Sequence, residues 1–341
     1  MILAGDVGGT KTNLGFFEVT RAGEQIGLTS ILEQTYASRE HASLDEIALR
    51  FLAEHKLSIS IACFGVAGPV QNGRSHATNL PWLIDGKQLA AELKVTDALV
   101  INDLEATAFG VAGLGSNDFA VLNPGAVGVG IAAEGNAAVI AAGTGLGEAG
   151  LYWDGRHHRP FACEGGHADF APRDRREMEL LAWLIEQFGH ASWERVLSGP
   201  GLHNLYTFLC TVRPGAESPA VAAEIAQSDP AAVISQAAQA DRCSTCREAL
   251  AWFISLYGAE AGNLALKIMA TGGVYIGGGI APKNLGPLKR GDFVKSFAAK
   301  GRLREVLEQI PVRVILTPQA ALVGAARCAA IHQAEHGGGW G

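Results

Sequence analysis

The chain has 341 residues, 48% of them apolar and 18% charged, with a net charge of −7. That length suggests roughly two domains around substantial buried cores, and it argues against disorder. An acidic balance with no basic block argues against nucleic acid or an anionic membrane as the main partner, and no apolar run is long enough to span a bilayer.

The N-terminus lacks a charged segment followed by an apolar one, so no secretory signal is expected. Six scattered cysteines in so large a chain need no disulfide framework, and a reducing cytoplasm is the expected compartment. Cys243-Ser-Thr-Cys246 is a lone CxxC and weak evidence for zinc or redox chemistry.

Residues 2–4 read as a short apolar strand and 12–19 as its hairpin partner, rich in aromatic and β-branched side chains. Gly5, Asp6, Val7, Gly8, Gly9 and Thr10 form the tip, where glycines let backbone N–H groups point outward, as phosphate oxygens require. Asp6 would repel a bare phosphate, which makes a divalent cation such as Mg²⁺ the natural mediator. Residues 5–12 nearly match a Walker A loop, but Thr10 replaces its last glycine and a strand pattern follows where a helix should open. Ser43-x-x-Glu46 is a capping box for a helix with Leu44, Ile47, Ala48, Phe51 and Leu52 on one face. A buried strand is expected over 59–67, ended by Gly68-Pro69. A loop with Thr78-Asn79-Leu80-Pro81-Trp82 follows, then a helix over 88–93 and a short strand over 98–101. The alternation predicts an α/β fold.

Asp103 ends that strand and is expected to N-cap a helix. Most aspartates so placed are caps and nothing more. The functional alternative is a carboxylate at the mouth of a cleft acting as general base, with the helix N-terminus favouring its ionised form. Phosphoryl transfer needs little early proton abstraction, so orienting the hydroxyl is the main demand. Asn102 beside it can both donate and accept.

The second half repeats the opening theme. A strand over Ala137–Ala142 leads into Gly143-Thr144-Gly145-Leu146-Gly147 and a strand over 149–153. Two hairpins with phosphate-friendly tips suggest two related lobes facing one nucleotide. Gly128-x-Gly130-x-x-Ala133 mimics a dinucleotide fingerprint but lacks a following helix and is read as chance. Glu164 and His167 stand three apart across two glycines, so both can turn into one pocket. As metal ligands they lack a third partner. As acceptor and donor they suit the vicinal hydroxyls of a sugar. Glu194 adds a carboxylate that in isolation would be an ordinary solvated helix charge. Helices are expected over Arg175–Phe188, with Met178, Leu181, Ile185 and Phe188 on one face, and over 247–269. A strand over 271–280 is closed by Gly277, Gly278 and Gly279. A last helix over 318–332 carries an uneven stripe of Ala320, Leu322, Val323 and Ala326, and the tail 337–341 is expected to fray. No low-complexity linker separates the halves. The expected division is a small lobe, 1–103, completed by 318–335, and a large lobe, 104–317.

The three glycine clusters, each after a strand, together resemble the phosphate-1, phosphate-2 and adenosine segments of the two-lobed actin-like (ribonuclease H-like) ATPase fold. Around them stand Thr78-Asn79, Ile101-Asn102-Asp103, the string from Glu164 to Pro172 and the string from Glu194 to Gly201. From Ile2 to about Ala330 the chain therefore resembles the bacterial ATP-dependent glucokinases of the hexokinase-like superfamily. The resemblance implies Asp103 as base. It implies Asn102, Glu164, His167 and Glu194, with Thr78 and Asn79, around glucose. It implies ATP on Gly5–Thr10, Gly143, Thr144, Gly145 and Gly277–Gly279, with Mg²⁺ near Asp6. Homodimerisation fits the family, though the pattern shows no interface. The cysteine-rich zinc motif of the related repressor–kinase group is absent and no helix-turn-helix precedes the first strand, which favours a kinase over a sugar-responsive repressor. Mannose, fructose and glucosamine stay open as alternative sugars, as does a non-catalytic sugar sensor.

Overall fold

The run Ile2–Val7 is apolar almost throughout, as a strand covered on both faces must be, and it lies at the centre of the first sheet. The computed structural model describes residues 1–22, 25–77, 79–126, 134–213 and 215–336. Thr78, the 128–133 glycine motif and the 337–341 tail lie outside the described residues. Strand order in the first sheet is Gln25–Ala37, Lys11–Ala22, Ile2–Val7, Ile61–Val66 and Ala98–Asn102. The first two pairings are antiparallel and the last two parallel. Gln25–Ala37 was not expected; it is an edge strand of the sheet, paired on one side only.

Helices Leu44–His55 and Gly86–Leu93 cover one face of this sheet, packing Ile47, Phe51 and Leu89 against Leu3, Phe64 and Val66. The other face, carrying Ile2, Ala4, Phe17 and Cys63, is covered by Leu322, Ala325, Ala326 and Ala329 of the terminal helix Ala320–His336. Burying Ile2, Phe17 and Leu322 contributes about 1.5–3 kcal/mol each, and each alanine methyl about 0.8 kcal/mol, so the terminal helix is integral to the first sheet.

The second sheet orders His158–Cys163, Leu146–Trp153, Ala137–Ala142, Gly273–Gly277, Val312–Ile315 and Phe119–Asn123. Its main core gathers around the long helix Ser244–Ile268. Its other face holds Val139, Ala149 and Tyr275 against Ala108 and Val111 of the helix Asp103–Val111. That helix also packs on the terminal helix, through Gly110 and Gly324. A Cβ at Gly324 would press on the Ala106 backbone and stand 2.7 Å from Gly110 N, so the two backbones meet without room for a methyl group.

Two helices differ in how their apolar faces are used. Helix Arg175–Phe188 has the expected bounds, but it buries Glu177, Leu180 and Leu184 while Met178 is 59% and Ile185 47% exposed. The buried charge decides the rotation: Glu177 takes a 2.5 Å ion pair from Arg173 and a bond from Trp252 Nε1, so its burial is offset. The terminal helix has the uneven stripe expected of it, because it packs on the first sheet on one side and on the helix Asp103–Val111 on another, and so buries Gly324, Ala325, Cys328 and Ala330 as well.

Candidate active site

The parallel strands end side by side, and their carboxyl ends bring the first group of residues together. Asp6 pairs with Gly65 and Val66 with Asn102, so Asp6 and the start of the Asp103–Val111 helix share one edge of the first sheet. Clefts in α/β folds form outside such strand ends. Gly65 leaves room for this: a Cβ there would lie 2.7 Å from Ala106 Cβ and 3.7 Å from Asp103 Cα.

Asn102, not Asp103, caps the helix. Its Oδ1 accepts from Leu104 N at 2.8 Å and Glu105 N at 3.2 Å, while its Nδ2 donates to Gly68 O at 3.1 Å. Asn102 thereby keeps one amide hydrogen for a ligand. Asp103 is the first helical residue, with Oδ1 accepting from Leu104 N at 2.9 Å. The expectation that the helix end would favour its ionised form is overturned. Burial pushes the Asp103 carboxyl up to about 6, and the charges of Asp6 and Glu164 add to the rise despite the Leu104 bond. Desolvation outweighs the helix dipole, whose effect is confined to one turn.

Asp6 is also raised by burial, and Asn13 Nδ2 donates to its Oδ2 at 3.1 Å. Thr35 in turn donates to Asn13 Oδ1 at 2.8 Å. Gly8 N donates to Lys11 O at 2.9 Å and Ser38 Oγ to Gly8 O at 2.8 Å. These bonds close the first turn and leave the N–H groups of Gly9 and Thr10 for a ligand. Among the described residues no three His, Cys, Asp or Glu side chains converge to cage a metal ion. One carboxylate completed by phosphate oxygens and water is the donor set Mg²⁺ accepts, and Asp6 fits it.

The second turn closes on itself through Gly143 N to Gly145 O at 2.8 Å, leaving the N–H groups of Thr144 and Gly145. Glu194 stands against it, in the short turn Trp193–Arg195 rather than on an α-helix. Its Oε2 accepts from Leu146 N at 2.9 Å, and a Cβ at Gly145 would lie 2.5 Å from that oxygen. Gly199 N donates to Gly143 O at 2.8 Å, which brings the N-terminus of helix Gly199–Val212 to the same turn. That helix end was not singled out from sequence; its signal was Ser198 as N-cap ahead of Gly199-Pro200-Gly201. The third glycine cluster joins the second, since Gly277 pairs with Ala141 and Gly278, at φ 78°, has its Cβ direction filled by the Ala142 backbone. Beneath both, the buried Tyr257 hydroxyl accepts from Ala142 N at 3.0 Å and lies 3.2 Å from Ile140 O.

Glu164 and His167 bracket one turn, with His167 N donating to Glu164 O at 3.0 Å. Trp193 N donates to Ala168 O at 3.0 Å, setting this turn beside the one that bears Glu194. Gly166, between Glu164 and His167, backs onto the second glycine turn, where a Cβ would lie 2.9 Å from the Leu146 carbonyl carbon. Asn79 is an exposed left-handed turn residue, and among the described residues it makes no hydrogen bond to the others.

A family model described as Glucokinase matches residues 3–332. A glucokinase of Trichormus variabilis is 41% identical over 345 residues, 97% of this chain and 99% of its own length. A glucokinase of Yersinia pestis is 39% identical over 324 residues, 95% and 94% of the two chains. The crystal structure of a glucokinase from an Antarctic psychrotroph superposes with a TM-score of 0.83 at 31% identity, covering 97% of this chain and 98% of that one. With the two-lobed actin-like ATPase architecture in hand and relatives of this closeness over the full length, the chain belongs to the glucokinase family.

Proposed function

We infer that the protein is an ATP-dependent hexose kinase that transfers the γ-phosphoryl group of ATP to the 6-hydroxyl of glucose. The observation that supports the reading most is Asp103: a carboxylate that opens the helix Asp103–Val111 at the sheet edge it shares with Asp6, raised to about 6 and so ionised yet basic at neutral pH. Glucose lies between Asp103 and the paired turns that bear Glu164, His167 and Glu194. Asp103 orients the 6-hydroxyl and takes its proton as it attacks in line. The N–H groups of Gly9, Thr10, Thr144 and Gly145 face charge on the transferring group. Asp6 would hold Mg²⁺, which when bound neutralises charge on the phosphate oxygens. Gly277–Gly279 border the nucleoside. Asn79 and Thr78 belong to this reading only through the resemblance.

The lobes we propose are 1–103 with 318–335, and 104–317, closing over the sugar to keep water from the phosphoryl group. The same reading sets the enzyme in the cytoplasm; among the described helices none is long and apolar enough to cross a membrane. It also includes a homodimer, which the exposed Met178, Ile185 and Phe188 on one helix support.

ADP release measured against glucose, mannose, fructose and glucosamine tests the reading. The expected result is the highest kcat/KM for glucose, dependent on ATP and Mg²⁺. A higher value for another sugar would reassign the substrate, and no turnover with any sugar would leave a sensor.

A further inference from the structure

Away from the glycine turns lies a cavity of about 870 Å³ whose walls come from both sheets. Arg21, Ile26 and Leu99 of the first sheet form one side, and Trp153 and the 156–160 turn of the second form the other. Phe109 and the terminal-helix residues Arg327 and Ile331 lie between. The chain as a whole is acidic, yet this hollow draws four arginines, Arg21, Arg156, Arg159 and Arg327, against two carboxylates, Glu134 and Glu335. Arg159 is already paired with Asp154 at 3.0 Å and Glu335 at 2.6 Å. Arg21 gives one bond, to Ala330 O at 2.8 Å. Arg327 has no hydrogen bond or ion pair among the described residues, and burial pushes its guanidinium below its ordinary value. A desolvated cation without a counter-charge is costly, and a bound anion removes that cost. The guanidinium fork suits the paired oxygens of a phosphate. Between the cations the floor is apolar, with Leu99, Phe109, Trp153 and Ile331.

We propose that this cavity is a second ligand site, distinct from the cleft, that takes an aromatic phosphate monoester: phosphate on Arg327 and Arg21, ring against Trp153 and Phe109. Because its walls belong to different sheets, its occupant favours one angle between them and thereby alters glucose affinity. That regulatory clause rests on the kinase reading; the binding clause does not.

The probe is 4-methylumbelliferyl phosphate, titrated by calorimetry onto the full chain with glucose and a non-hydrolysable ATP analogue filling the cleft. One site per chain is expected, with binding at least tenfold weaker for uncharged 4-methylumbelliferone and for inorganic phosphate alone. Arg327→Gln and Arg21→Gln should each weaken the probe at least tenfold, with glucose phosphorylation in its absence unchanged. Should either variant fail to fold, the other carries the comparison. Equal probe affinity in wild type and the folded variants, or no saturable binding, overturns the site. Binding with no change in KM for glucose overturns the regulation alone. Loss of the kinase reading would leave the calorimetric result standing.

Discussion

Asp103 carries a specific pH signature. Its carboxyl must be ionised to accept a proton, and burial holds its midpoint at about 6. In the sugar-free enzyme kcat/KM is therefore expected to rise with pH through about 6 and level off above it. Asp103→Ala should lower kcat by about 10²–10⁴ while weakening glucose binding less, measured by steady-state kinetics and calorimetry. Near-normal kcat would remove it as base. Glu164 and Glu194 should separate. Glu164→Ala is expected to raise KM for glucose alone. Glu194→Ala should raise KM for both glucose and ATP, because Glu194 also accepts from Leu146 N and so holds the second glycine turn. A third carboxyl affects stability rather than rate. Glu148, beneath Gly165, is pushed up to about 8 from an ordinary 4.5, by burial first and then by the neighbouring Glu260. The native state keeps that proton while the unfolded chain loses it. Stability is accordingly full below about pH 4.5, falls as pH rises toward about 8 by at most about 1.4 kcal/mol per unit, and is flat beyond. Glu148→Gln should flatten this profile in denaturant titrations. An unchanged slope would assign the titration elsewhere.

At the scale of elements, the helix Asp103–Val111 matters most, because it bears the proposed base and is clamped between both sheets and the terminal helix. Gly324→Ala should destabilise by roughly 1–3 kcal/mol, since only backbone opposes the new methyl group, and kcat should fall with the displaced helix. A melting temperature within error of wild type would show that the contact yields. Much at this level was legible in the sequence. The hairpin tips and the buried strands announced themselves through glycine after an apolar run, and Ser43 caps Leu44–His55 as its spacing predicts, accepting from Glu46 N at 3.2 Å. What was not legible depends on tertiary context. The buried face of Arg175–Phe188 is one case, because Glu177 goes inward with its own arginine, which no hydrophobic period reports. Tyr257 under two turns, and Ser38 behind the first, meet their partners across 115 and 30 residues of chain. The protonation of Asp103 was misjudged because helix ends are visible in sequence and desolvation is not.

For the whole molecule, two sheets share a pair of helices, and the proposed sugar site takes residues from both sides. Glucose is expected to draw the lobes together, reducing the radius of gyration in solution scattering; an unchanged profile at saturating sugar would argue against closure. The position of the terminal helix also bears on biosynthesis. Ile2 and Ala4 are synthesised some 320 residues ahead of Leu322 to Ala330 and remain uncovered on one face until those residues arrive. The first sheet thus awaits the helix Ala320–His336, against which the helix that opens at Asp103 is also packed. A nascent chain stalled short of residue 318 should be chaperone-dependent and inactive, and activity should appear only once residues 318–336 have emerged.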